Sequence, residues 1–164
     1  MPFLKKNNLH HAEYATKTVQ DLIPADVLNK AIVKTFNYSS SCIAISNGNG
    51  NFSIQKFPAG IQLSSANVIH ATDVNADGIN DLVIGGNLFN FQPQLERLDA
   101  SLGAILINDG KGNLREVDAA LTGLELRGQL RDIGEIKNKG NKYLLFLQND
   151  EYPLLFKLNS QAKK

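Results

Sequence analysis

The sequence is poor in several residues that often carry protein chemistry. It has no tryptophan, one cysteine and one methionine among 164 residues. A single thiol, Cys42, excludes a disulfide within the chain. The apolar residues that follow it indicate a buried structural thiol, and no basic residue lies nearby in sequence to activate it as a nucleophile. With no tryptophan and only four tyrosines, the chain is also short of the aromatic surfaces that sugar-binding sites favour.

Long apolar runs and an excess of charge of either sign are absent as well. No run approaches the roughly 18 residues that a membrane-spanning helix needs, and the N-terminal "MPFLKKNNLHH" has no apolar core of a secretory signal. The formal net charge is +1, from 17 basic and 16 acidic residues, which gives no reason to expect a nucleic-acid partner. We therefore predict neither a membrane span nor nucleic-acid binding.

The N-terminal part of the sequence has a helical pattern. Apolar residues at spacings of three and four predict a first helix with one apolar face. A second short helix is predicted from Pro24, with Asp26 in its first turn. The two predicted buried stripes consist of Ala12, Ala15, Val19 and Leu22, and of Ile23, Val27, Leu28 and Ala31. Residues 1–36 are thus expected to form a short helical segment.

After about residue 36 the pattern changes to short strands that recur. "CIAIS", "NGNGN" and "FSIQKF" (residues 42–57) predict a hairpin, because Asn-Gly pairs tolerate the positive φ of tight turns. The same order returns in "GAILIN", "DGKGN" and "LREV" (residues 103–117), an offset of 62 positions. Further on, "VIHATDV" is followed by "DLVIGGN", and "QLRDI" by "YLLFLQN". Each repeat therefore predicts about four strands.

A four-stranded repeat of this kind is typical of a propeller blade. We predict a mainly β fold over residues 37–164, with two four-stranded propeller-type blades at about 37–90 and 91–160 after the helical segment. Known propellers have roughly 4–8 blades, so two would make a partial β-propeller. Because a blade needs neighbours to bury both faces, we expect further blades of a longer chain, or another copy of this one, as partners.

The stretch "DVNADGIND" (Asp73–Asp81) is the strongest candidate for a functional site. Calcium takes six to eight oxygen ligands, and this loop offers the side chains of Asp73, Asn75, Asp77 and Asp81 and the backbone carbonyl of Ile79. Gly78 permits the sharp turn that would bring these oxygens together. An acidic solvated turn without an ion is the alternative, and we favour calcium on the number and spacing of the ligands.

Other metals and other loops fit less well. An EF-hand would need Glu where Ile84 stands, and its flanks would be helical. Magnesium prefers fewer protein ligands, and zinc or copper would want imidazole or thiolate. The second repeat keeps Asp132 but places Lys137, Lys139 and Lys142 where they would repel a cation, so we predict no metal there.

No set of residues in the sequence predicts catalysis. His10 and His11 lie in a polar start, and His70 alternates with other strand residues. Asp99 and Ser101 are not accompanied by the G-x-S-x-G turn of a serine nucleophile. We therefore predict no catalytic residue and no enzyme activity for this chain.

The segment "ATDVNADGINDLVIGGN" resembles the FG-GAP/VCBS repeat, the calcium-loop blade of integrin α-subunit propellers and many bacterial surface proteins. "GGNLFNFQPQLERLDASLGAILINDGKGNL", "GQLRDIGEI" and "YPLLFKLN" are similar to the C-terminal propeller blades of bacterial ASPIC/UnbV-type proteins. The helical start resembles the insertion that precedes those blades.

The resemblance implies a cell-surface role. It points to an extracellular or outer-membrane-associated bacterial protein whose calcium-stabilised blades serve recognition, adhesion or scaffolding, with a protein or glycan as ligand. The alternative is a part of a larger propeller enzyme or carbohydrate-binding protein whose active site lies outside this chain.

Overall fold

A computed structural model describes residues 2–90 and 97–159, which fall into two compact units, Met1–Ser39 and Ser40–Lys164. Within the first unit, the described residues form four short helices. They are α1 (Pro2–Asn7), α2 (His11–Ala15), α3 (Val19–Leu22) and α4 (Ala25–Leu28).

The predicted helical segment is present, but its buried stripes are not. The first predicted helix is divided, because Thr18 and Asp21 form a capping box that starts α3 afresh at Val19. Helices α2, α3 and α4 bury no residue, and the side chains of Val19 and Val27 are about half exposed. Helices of four or five residues present one turn each, too little to form a continuous apolar stripe.

The second unit is mainly β, as predicted. Its elements are β1 (Cys42–Gly48), β2 (Asn51–Lys56), α5 (Ala59–Gln62), β3 (Ala66–Thr72), β4 (Asp81–Gly86), β5 (Ala104–Asn108), β6 (Leu114–Glu116), α6 (Ala119–Thr122), β7 (Leu130–Asn138), β8 (Asn141–Gln148) and β9 (Leu154–Leu158). They form three antiparallel sheets, which we call sheet A (β1-β2), sheet B (β3-β4-β5-β6) and sheet C (β7-β8-β9).

The prediction of two four-stranded blades at 37–90 and 91–160 is wrong in its division of the strands. Strands β3 and β4 pair with β5 and β6 rather than with β1 and β2, so the described strands make three sheets of two, four and three strands. The sequence pattern does not fix where a predicted repeat begins. A periodic pattern sets the spacing of equivalent strands and leaves open which of them share hydrogen bonds.

The predicted hairpins are confirmed. Strands β1 and β2 pair around a turn in which Asn49 and Gly50 have φ of 51° and 76°, the left-handed region that Asn and Gly tolerate. Strands β5 and β6 form the second hairpin. Of the similar segment "PQLERLDASLG", residues 93–96 lie outside the described residues. Residues 97–103 of that segment are described, and Leu98 forms a bridge with Leu88.

Two apolar clusters cover the two faces of sheet B. Adjacent residues of β4 point to opposite faces, and both are buried. Ile84 joins Leu106 and partly buried Ile43 of β1 in the cluster between sheets A and B. Val83 joins Leu144 and Phe146 of β8, among others, between sheets B and C. The sheets therefore stack face to face in the order A, B, C.

A buried amide organises the connection from β4 to β5. Asn87 is fully buried with φ of 75°. Its side chain accepts hydrogen bonds from the Ser64 hydroxyl and the Ser101 backbone, and donates to the carbonyls of Ser101 and Arg127. Since a buried amide is costly unless its groups are paired, this network fixes where the chain leaves sheet B.

Candidate metal centre

The acidic loop connects two adjacent antiparallel strands. Strand β3 ends at Thr72, opposite Asp81 at the start of β4, and residues 73–80 form the loop between them. Strands therefore flank the loop, as the sequence predicted, and the helices of an EF-hand do not. Because the paired strand ends hold Thr72 and Asp81 side by side, the first and last candidate ligands start from neighbouring positions.

Backbone amide groups inside the loop orient its side-chain oxygens. The Asp73 carboxylate accepts hydrogen bonds from the backbone N–H of Asp77 (3.2 Å) and Gly78 (2.9 Å). The Asn75 side-chain oxygen accepts from Asp77 N–H at 3.0 Å, and Asp77 Oδ1 accepts from Ile79 N–H at 2.8 Å. Each of these side-chain oxygens accepts a hydrogen bond from the backbone N–H of a residue two to five positions later in the chain. Three candidate ligands are therefore held around one tight turn.

The turn is possible because of its backbone conformation. Ala76 and Gly78 have φ of 62° and 88°, and the space where a Cβ of Gly78 would lie is open. A side chain on Gly78 would therefore strain the backbone without meeting another group. The loop depends on Gly78 for its curvature and not for close packing.

The charge state of Asp73 reflects this setting. Burial raises the pKa of its carboxyl, but hydrogen bonds from the backbone of Gly78, Ala76 and Asp77, with the charge of Lys142, outweigh that effect. The net result is a pKa below the ordinary value, so Asp73 is held as a carboxylate.

Asp81 has a second task that the sequence did not reveal. It is fully buried, and its two oxygens accept hydrogen bonds from the backbone N–H of Val74 (3.0 Å) and of Asn108 (2.9 Å). Asn108 Nδ2 in turn donates to the Asn80 carbonyl at 3.1 Å. One buried carboxylate thus fastens the acidic loop to the β5–β6 hairpin of the same sheet. The only sequence signal for Asn108 is its place before the Asp109-Gly110 turn.

The structure brings the predicted ligands together to different degrees. Asp73, Asn75 and Asp77 are linked to one another around the turn, and Asp81 lies at its base. Across residues 2–90 and 97–159, no group of three or more His, Cys, Asp or Glu side chains is arranged so that it could hold a metal ion. The side chains of Asp73, Asn75 and Asp77 offer a mixed set of carboxylate and amide oxygens instead. Since a carboxylate oxygen that accepts one N–H keeps further acceptor capacity, this donor set fits a hard cation such as calcium.

Sheet C contributes two charged residues beside the loop. Lys142 Nζ donates to the Asp73 carbonyl (3.0 Å) and to the Thr72 hydroxyl (3.1 Å), and lies 3.6 Å from Glu135 Oε2. The Thr72 hydroxyl donates to the same Glu135 oxygen. Lys142 is predicted from the sequence to oppose a cation in the second repeat, and it instead lies against the base of the first loop.

Glu135 balances this lysine. The pKa of its carboxyl is held below the ordinary value, chiefly by the hydrogen bond from Thr72; burial opposes this, and Lys137 and Lys142 add to it. A carboxylate paired with Lys142 offsets the repulsion that a lone ammonium would exert on a cation nearby. The network therefore joins the loop to sheet C and places a carboxylate beside the Lys142 ammonium at its base.

The turn between β7 and β8, where the sequence predicts no metal in the second repeat, is short and basic. Lys139 and Gly140 occupy it with φ of 48° and 79°, Lys137 pairs with Glu135 at 3.2 Å, and Asp132 accepts from its neighbour Ile133 N–H.

No family model, curated protein or solved structure was found to match this chain. In the part of the chain that the structure describes, no helix has the length and apolar character needed to cross a membrane.

Proposed function

We propose that this chain is a non-catalytic calcium-binding segment of FG-GAP/VCBS-type repeats, similar to the propeller blades of ASPIC/UnbV-type proteins. In this proposal it serves recognition, adhesion or scaffolding in a bacterial cell-surface protein. The observation that carries the proposal is the loop of residues 73–80, in which backbone amides orient a set of oxygens between two paired strands.

Asp73, Asn75, Asp77 and Asp81, with the Ile79 carbonyl, would hold the ion. When bound, calcium would supply two positive charges to the carboxylates of the loop. The chain's own contribution is to hold these oxygens in place before binding: Gly78 turns the backbone, the loop amides orient Asp73 and Asp77, and Asp81 fixes the base. Less ordering is then required on binding, which favours affinity.

Calcium titration by calorimetry, with thermal melting in calcium and in chelator, tests the proposal. At a free calcium concentration 100 times Kd, binding stabilises the folded state by about 2.7 kcal/mol. For a domain of this size that corresponds to a rise in melting temperature of about 5–10 °C. Asp77→Ala is expected to remove both the heat of binding and the rise.

Asp109→Ala is the matched control. Like Asp77, Asp109 is an exposed aspartate whose carboxylate accepts backbone N–H groups in a tight turn, here from Lys111 at 2.8 Å and Asn113 at 3.1 Å. Its loss should lower stability slightly in both buffers and leave the calcium response intact. If the unmodified chain shows no calcium heat and equal melting in both buffers, the calcium proposal is wrong.

The surface role is tested separately. Antibody labelling of intact cells that produce the natural protein should reach this segment, and labelling only after lysis would contradict the proposed location. A glycan array distinguishes a sugar ligand from a protein ligand.

A further inference from the structure

The end of the stack at sheet A exposes a face that is covered in sheet B. The β1–β2 pairing of Ala44 with Ile54 recurs in β5–β6 as Leu106 with Glu116. Leu106 and Leu114 belong to the cluster between sheets A and B. Their equivalents in sheet A are Ala44 and Phe52. Because Ile43 faces sheet B and adjacent residues alternate between faces, Ala44 and Phe52 lie on the side of sheet A away from sheet B. On that side Phe52, equivalent to Leu114, and Ile54 are 61% and 57% exposed.

The end at sheet C shows the complementary case. The β4–β5 pairing of Val83 with Ile105 recurs in β8–β9 as Leu145 with Leu155. Val83 is fully buried, and Ile105 packs with it between sheets B and C. Their equivalent Leu155 is 57% exposed on the side of sheet C away from sheet B. Ile136 and Leu147 add 42% and 39% exposed apolar side chains to the same side.

The two end faces are thus equivalent to the two kinds of face that meet in the contacts between sheets A and B and between sheets B and C. We name them the A-end face (Phe52 and Ile54) and the C-end face (Ile136, Leu147 and Leu155). The C-end face repeats the side of sheet B that contacts sheet C. The A-end face repeats the side of sheet B that contacts sheet A. Placing one on the other would continue the A, B, C order with the same type of sheet-to-sheet packing.

We propose that the C-end face of one chain packs on the A-end face of a second copy, head to tail. Such a contact joins different surfaces of the two partners, so it can close into a ring or extend. Two copies of three sheets each would bring six sheets together, which lies within the roughly 4–8 of known rings. The inference goes beyond the calcium site, because it depends on the sheet faces and not on the ion.

The test uses the full chain and two charged variants, one at each end. Leu155→Glu places a charge on the C-end face, and Ile54→Lys places the opposite charge on the A-end face. We expect sedimentation and light scattering to give at least twice the single-chain mass for the unmodified chain. Each variant alone should weaken association roughly tenfold or more, since a buried charge disrupts an apolar contact.

Mixing the two variants distinguishes head-to-tail packing from its alternatives. In a mixed pair, one contact joins two unmodified faces. The other contact joins the two substituted faces, whose introduced charges have opposite signs and attract each other. Association should therefore return on mixing. If like faces packed together instead, one variant alone would still associate and mixing would restore nothing.

Leu121→Glu is the control, because Leu121 is 80% exposed on helix α6 and lies on neither end face. It should associate like the unmodified chain, and circular dichroism and melting should show all variants folded. A single-chain mass for the unmodified chain at all concentrations would overturn the inference, as would further repeats or another segment covering these faces. Measuring mass with calcium and with chelator keeps this result separate from failure of the calcium site.

Discussion

Replacing Asp81 should destabilise the protein even when no calcium is present. Asp81 is fully buried, and both of its carboxylate oxygens accept backbone hydrogen bonds, from Val74 and Asn108. In Asp81→Ala, the backbone N–H groups of Val74 and Asn108, two partly buried residues, lose their acceptor. The acidic loop also loses its connection to the β5–β6 hairpin.

The expected loss follows from these two bonds. A hydrogen bond to a charged group contributes about 1.5–3 kcal/mol, and a buried donor left unpaired has a similar cost. Asp81→Ala should therefore lower the free energy of unfolding by about 3–5 kcal/mol. Asp81→Asn keeps one acceptor oxygen but turns an NH₂ group toward the other amide, so about 1–3 kcal/mol is expected. Asp77→Ala, at an exposed position, should cost less than about 1 kcal/mol.

Urea unfolding in chelator measures these differences without any contribution from a bound ion. Hydrogen exchange adds a local readout, because the amides of Val74 and Asn108 should be protected in the unmodified chain and exchange faster in Asp81→Ala. Equal destabilisation by Asp81→Ala and Asp77→Ala, or unchanged exchange at both amides, would refute the reasoning. It would mean that Asp81 does not fasten the loop to the hairpin.

Three further substitutions test the packing and the network. Phe146→Ala removes a fully buried ring that packs edge-on against Phe156, with the ring centroids 5.4 Å apart. Urea unfolding should show that the free energy of unfolding falls by about 3–5 kcal/mol. Gly86→Ala would place a Cβ 1.8 Å from the Ser65 carbonyl oxygen, so we expect a large fall in melting temperature, and an unchanged melt would contradict that close approach. Glu135→Gln tests the lowered pKa of Glu135. The ionised Glu135 carboxylate stabilises the folded state above its unfolded-state pKa of about 4.3. That stabilisation is lost as the pH falls through the lower folded-state pKa. The stability difference from the unmodified chain should therefore shrink below about pH 4, and a difference that grows on acidification would contradict this sign.

Local patterns were readable from the sequence alone. The Asn-Gly turn predicts the β1–β2 hairpin because the required positive φ is a property of those two residues. The acidic loop was predicted between strands because apolar stretches with β-branched residues flank it on both sides. The sharp turn among the candidate ligands was predicted from Gly78, because glycine adopts the backbone conformations that such a turn needs.

Long-range pairing was beyond the sequence. The sequence predicted that β3 and β4 share a sheet with β1 and β2, but β4 pairs with β5. Which strands share a sheet depends on contacts between residues far apart along the chain, and the predicted repeat pattern is the same for either pairing. For the same reason Lys142 was assigned to its own repeat, although it contacts Thr72 and the Asp73 carbonyl from the neighbouring sheet.

The sequence by itself determined the mainly β character, the hairpins and the order of oxygen-bearing residues in the acidic loop. These depend on the conformational preferences of adjacent residues. Only the tertiary structure decided how the strands divide into three sheets, that Asp81 is buried as a tie to Asn108, and which apolar faces remain exposed at the two ends. Those features depend on which surfaces meet when the sheets stack. Such contacts join residues far apart along the chain, so local sequence patterns do not reveal them.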